Sequence, residues 1–169
     1  MLCHVMETWY RVFGRTDLPV DSPALLEWLR ARVPDATGHF RGDELGWFEA
    51  RLQVPSLPGP LLVERFLTKE DEIRGELNTW AAWLESTGDS ENHVKLMQQV
   101  ISASQLFTVH QSPENDADDL EDARFVETLC LNLCQFLARS TDGIYQIDGR
   151  GFFAADGQLL VAEAAEKRV

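Results

Sequence analysis

Cys130 and Cys134 stand one helical turn apart, a spacing that lets two thiolates reach one cation. Two sulfurs leave a tetrahedral zinc site half built, so the first reading is two small buried hydrophobes, and a metal-binding module is the alternative. The acidic run containing Asp116, Asp118, Asp119, Glu121 and Asp122 offers carboxylates at short intervals. It lacks the central glycine and the glutamate at the twelfth position that a calcium loop requires. Acids ahead of a helix favour its positive end, so this run is expected to be solvated and helix-capping, or to meet a cation or a basic partner.

Arg11, Glu49, Arg51, Glu64 and Arg65 are charged residues inside strand-like stretches. They could converge on the wet face of a sheet as one polar site, or pair across strands for a few tenths of a kcal/mol each. Trp80 and Trp83 lie three apart on an expected helix and so share a surface. Tryptophan is enriched at interface centres, which makes the pair an anchor for a protein partner or a homodimer, with core packing as the competing account. His4, His39, His93 and His110 show no HExxH spacing, and no P-loop, GxSxG or GxGxxG occurs. No cofactor and no catalytic residue is therefore assigned, and the balance leans away from an enzyme.

The elements that must position these residues follow from periodicity. Residues 7–15 read as a strand, and Ser22 to Val33 as a helix capped by Ser22, with Pro23 in its first turn. Residues 38–42 and 45–54 read as a hairpin whose second strand alternates a dry Phe48, Ala50, Leu52 and Val54 with a wet Trp47, Glu49, Arg51 and Gln53. After the stiff connector 55–60 come a strand over 61–67, a helix starting at Thr68 with Asp71 as its capping-box partner, and a helix capped by Asp89 or Ser90. A strand over 104–110 and a long helix carrying Phe125, Val126, Leu129, Leu133 and Leu137 follow. Asp148-Gly149 and Asp156-Gly157 mark turns.

Shifted by 105 residues, Gly38, Asp43, Gly46, Phe48, Ala50 and Gln53 fall on Gly143, Asp148, Gly151, Phe153, Ala155 and Gln158. Phe40 meets Tyr145 and Trp47 meets Phe152. The expectation is an α+β fold in which two β-α-β-β halves, about 5–54 and 104–161, arose by internal duplication. A connecting strand and helices at about 61–101 link the halves within a single compact domain. The sheet is expected to be mainly antiparallel, with helices on one face and a pocket at the seam between halves.

At 169 residues the chain is long enough for one sizeable core. Its 28 acidic residues against 15 basic ones give a net charge of −13. Such a field repels phosphates and anionic lipid, so neither nucleic acid nor a membrane is expected as a partner. Three cysteines form no disulfide framework and suit a reducing cytoplasm, and residues 1–7 lack the pattern of a secretory signal. The functional expectation is a soluble, non-enzymatic interaction protein, in one form an acidic neutraliser of a basic protein. A small enzyme with a carboxylate/arginine site at the seam is the alternative.

Overall fold

A computed structural model describes residues 8–70, 72–112, 115 and 120–163. Eight strands form one sheet: β1 (Tyr10–Gly14), β2 (Thr37–Asp43), β3 (Gly46–Gln53), β4 (Leu61–Leu67), β5 (Gln105–Gln111), β6 (Ile144–Ile147), β7 (Gly151–Ala154) and β8 (Leu159–Ala162). Their order is β2-β3-β4-β5-β1-β6-β7-β8, and every neighbouring pair is antiparallel. The central pair, β1 and β5, is made from the branched and aromatic runs YRVFG and QLFTVHQ, residue types that fit a pleated surface covered on both sides.

Four helices cover the sheet: α1 (Ser22–Arg32), α2 (Arg74–Thr87), α3 (Glu91–Ile101) and α4 (Leu120–Ser140). The expected antiparallel α+β character holds, but the helices occupy both faces. Leu25 and Leu29 of α1 and Leu133 and Leu137 of α4 join Val12, Val63, Phe107 and Tyr145 in one apolar layer. Leu77 and Leu84 of α2 and Leu96 and Val100 of α3 join Phe13, Leu106, Ile144 and Phe152 in a second layer on the opposite face. The reason is alternation. Val12 and Phe13 are consecutive, so they point to opposite sides, and a bare second face would expose Phe13, Leu106, Ile144 and Phe152 at a cost of about 1.5–3 kcal/mol each.

Three local expectations change. Asp21, not Ser22, holds the N-cap position of α1, with no side-chain cap bond, and Pro23 sits in the first turn as expected. The second helix begins at Arg74, and Thr68 instead donates its hydroxyl to Ala103 O at 2.8 Å, tying the end of β4 to the end of α3. In β3 the register passes from Arg41↔Glu49 to Gly42↔Trp47, leaving Phe48 as the extra residue of a bulge. That insertion turns Trp47 inward, where its indole N–H donates to Val20 O at 2.7 Å, and turns Phe48 outward.

The two halves share an order of elements, but the sheet order does not confirm a duplication. The first half's β2 and β3, with the connecting strand β4, form a meander that runs from the sheet edge inward. In the second half the meander runs from the centre outward, β6 to β8. The aligned Trp47 and Phe152 also enter opposite layers.

Candidate binding site

Four of the five charged residues expected to form a polar cluster share one face of the sheet. Register pairs Glu49 with Glu64, Glu64 with Thr108, Thr108 with Arg11, and Arg11 with Gln146, a row crossing five strands. Three strand spacings of about 4.8 Å put β1 and β3 about 14 Å apart, so the row is two clusters rather than one site. At one end, Arg51 and Arg41 donate to the Glu49 carboxylate at 2.9 and 3.3 Å, and the Arg51 hydrogen bond is the main reason its carboxyl lies below the ordinary range. Between the clusters Glu64 lies 3.5 Å from His110 Nε2, and Trp9 packs on the His110 ring at 4.3 Å.

Toward the other end, Arg11 donates to Gln146 Oε1 at 2.9 Å, to Asp148 Oδ1 at 2.7 Å and to Glu76 of α2 at 3.2 Å. Its guanidinium also lies 5.0 Å from the ring centroid of Trp80. Arg11 thus pins α2 onto the sheet. Trp80 and Trp83 are half-buried, each with its ring centroid 5.8 Å from that of Phe152, so much of their apolar area is used within the molecule.

Arg65 lies on the opposite face. Leu61, Val63, Arg65 and Leu67 alternate with Leu62, Glu64 and Phe66, which places Arg65 in the dry row, where it is only 4% exposed. Burying a guanidinium requires acceptors on several sides. Arg65 Nε donates to Gln105 Oε1 at 2.7 Å, Nη1 to Leu45 O at 3.1 Å and Trp47 O at 3.3 Å, and Nη2 to Asp17 O at 3.2 Å. Gln105, wholly buried, continues the network by donating to Thr16 O at 2.5 Å and Leu18 O at 2.9 Å. Two side chains therefore hold two loops, the one after β1 and the β2–β3 turn, at fixed positions against the sheet.

Those loops wall a cavity of about 320 Å³ at this end of the sheet. Asp17, Leu45, Leu67, Lys69, Arg74 and Ile101 line it, with the segment joining α3 to β5 as its remaining wall. Arg74 Nη1 donates to Ile101 O at 2.8 Å, and Thr68 N donates to Ser104 O at 3.0 Å, closing that side. The cavity is lined by the first half and the central segment, with Ser104, just ahead of β5, at its edge. Sequence reasoning missed it. The available signal was an arginine in phase with Leu61, Val63 and Leu67, a position that alternation assigns to the interior.

Cys130 and Cys134 lie in the same apolar layer as Leu25 and Leu29. Burial pushes the Cys130 thiol up to about 12 and that of Cys134 well up, which opposes the thiolate a metal needs. Among the described residues no three His, Cys, Asp or Glu side chains gather as a metal site, and no helix is long and apolar enough to cross a membrane. Glu121 and Asp122 are exposed in the first turn of α4, while Asp116, Asp118 and Asp119 lie outside the described residues.

Compared with family models, with curated proteins and with solved structures, the chain matches none.

Proposed function

We propose that the protein is a non-enzymatic binding protein for a basic protein partner, acting through the strand end that carries the cavity. One observation carries this reading: a cavity lined by Leu45, Leu67 and Ile101 together with Asp17, Lys69, Glu70 and Arg74 opens there beside further exposed carboxylates. Asp17 and Asp21 lie on the loop after β1, Asp43 and Glu44 on the β2–β3 turn, and Glu70 and Glu72 beyond β4. Against them stand Arg15, Lys69 and Arg74 on the same segments. Arg15 faces Asp142 at 3.6 Å and Arg74 donates to a neutral carbonyl, which leaves its charge in place, so the six carboxylates named here outnumber the three cations by three. The excess of carboxylates agrees with the net charge of −13, and complementary charge speeds and orients association with a cationic surface.

The test is salt-dependent retention on immobilised protein, followed by identification of what elutes. A discrete basic protein is expected to be held at low salt and released as salt rises, and the triple charge reversal Asp43→Lys, Glu44→Lys, Glu70→Lys is expected to abolish its retention. Equal retention by the reversed variant removes this reading.

A further inference from the structure

We propose that the cavity at this strand end takes one apolar side chain, of leucine type, from a polypeptide segment that is otherwise rich in lysine and arginine. This rests on the basic-partner reading above and names the feature of the partner that the cavity recognises.

Size, lining and rim agree on such an occupant. A volume of about 320 Å³ is at the bottom of the range of about 300–1,000 Å³ typical of small-molecule sites. It suits a side chain and its adjoining backbone better than a larger cofactor. Leu45 and Ile101 are 45% and 46% exposed although both line the cavity, and Leu18, on the same loop as Asp17, is 69% exposed. Apolar groups are thus presented at the mouth rather than withdrawn from it.

The walls are preorganised, because Arg65 and Gln105 fix the backbone of both loops from beneath. A prepared cavity loses less conformational freedom on binding than a mobile one. Free backbone polarity is also limited at the lip: Ile101 O accepts from Arg74 and Ala103 O from Thr68. An entering apolar group therefore gains by covering Leu45, Leu67 and Ile101. Asp17 and Glu70 in the lining are matched by Lys69 and Arg74, and it is the exposed acids beyond them, Asp43 and Glu44 on the β2–β3 turn, whose surplus would meet cations beside the inserted residue. An apolar centre within a charged rim is the usual division of labour in a protein interface, the centre supplying affinity and the rim orientation.

The experiment titrates the isotope-labelled full chain with the peptide Gly-Lys-Lys-Leu-Lys-Lys-Gly and with its leucine-to-glycine counterpart, following backbone amide shifts by NMR. Covering a leucine side chain corresponds to a preference of about tenfold or more for the leucine peptide. Its shifts are expected at Leu45, Thr68 and residues 101–104. Leu45→Ser and Ile101→Ser change exposed side chains while leaving intact the carbonyls that hold Arg65 and Arg74, and together they are expected to remove the preference. Raising NaCl from about 50 mM to about 300 mM weakens both peptides while the preference persists.

Equal binding of the two peptides with shifts at this strand end overturns the cavity assignment and leaves the basic-partner reading standing, whereas shifts confined to another surface overturn both. Absence of any binding of either peptide at low salt overturns both. Sedimentation of the free protein as a dimer whose Leu45 and Ile101 amides are protected overturns the assignment in favour of a second copy as the occupant.

Discussion

Arg65 shows how one buried charge can organise a surface. Its donors reach Gln105 and the carbonyls of Asp17, Leu45 and Trp47, groups that have no other cation within the strand's dry row to replace it. Arg65→Met preserves much of the volume but leaves several acceptors without their donor, at about 1–3 kcal/mol for each that water cannot reach. Urea unfolding is expected to show a loss of about 3 kcal/mol or more, with amide exchange rising first at the loop after β1 and the β2–β3 turn. Arg65→Lys should recover only part of this, because an ammonium cannot span the same set of acceptors. A loss below about 1 kcal/mol in Arg65→Met would show that the loops are held by other means.

The thiols set a second residue-scale expectation. Cys130 and Cys134 titrate higher in the fold than the ordinary value of about 8.5 because burial disfavours the thiolate. A folded pKa above the unfolded one means the native state holds the proton more tightly. The stabilisation is then fully present below about pH 8.5 and is lost as pH climbs toward about 12. Urea midpoints measured from pH 7.5 to pH 10.5 should fall more steeply in the parent than in Cys130→Ala/Cys134→Ala, even though the variant starts lower. Parallel slopes would contradict the burial argument.

At the scale of elements, what was legible depended on whether the signal was local. The strand 61–67 is legible to its observed bounds, because alternation and the flanking Pro60 and Thr68 are all nearby in sequence. The turns at Asp148-Gly149 and Asp156-Gly157 were read from dipeptide chemistry, and Gly149 and Gly157 do adopt positive φ, at 80° and 97°. The face on which α2 and α3 pack was not legible, since an amphipathic stripe says that a helix is buried and not against which side. Simple alternation points Phe48 inward for a related reason. A bulge is a property of two paired strands, and a one-residue insertion reverses the facing of everything beyond it.

Gly151 and Gly149 separate two reasons for glycine in the β6–β7–β8 region. Both have positive φ, at 127° and 80°, but a Cβ on Gly149 meets nothing within 4 Å, whereas one on Gly151 collides with the backbone of Val161 and Glu163. Gly149→Ala is expected to cost about 1 kcal/mol from the left-handed conformation alone. Gly151→Ala must in addition push β8 away from β7, and a loss well beyond that value, with faster exchange of the β8 amides, is expected in denaturation and hydrogen-exchange experiments. Equal costs at the two sites would mean that β8 pairs too loosely to sense the added atom.

For the whole molecule, charge acts on folding and on binding in opposite senses. With 28 acidic side chains against 15 basic ones, the compact state concentrates repulsion that the unfolded chain relieves. Some of it is balanced locally, as where Arg11 meets Asp148 and Glu76, and Arg41 and Arg51 meet Glu49. The excess that remains was visible in composition, but its gathering beside a cavity was not. That arrangement needs β1, β2, β3 and β4 to deliver loops from distant sequence positions to one end of the sheet. Raising NaCl from about 10 mM to about 300 mM shortens the screening length from about 30 Å to under 10 Å. If the surplus charge strains the fold, calorimetry should show a gain of about 1 kcal/mol, or about 3 °C in Tm for a chain of this length. The same change weakens attraction to a cationic partner. Stability should therefore rise over the salt range in which retention of a basic protein falls, and Asp43→Lys/Glu44→Lys should flatten both trends together. A Tm that is constant or declining with salt would show the acids to be already compensated within the molecule, leaving no surplus field to draw a partner to the cavity.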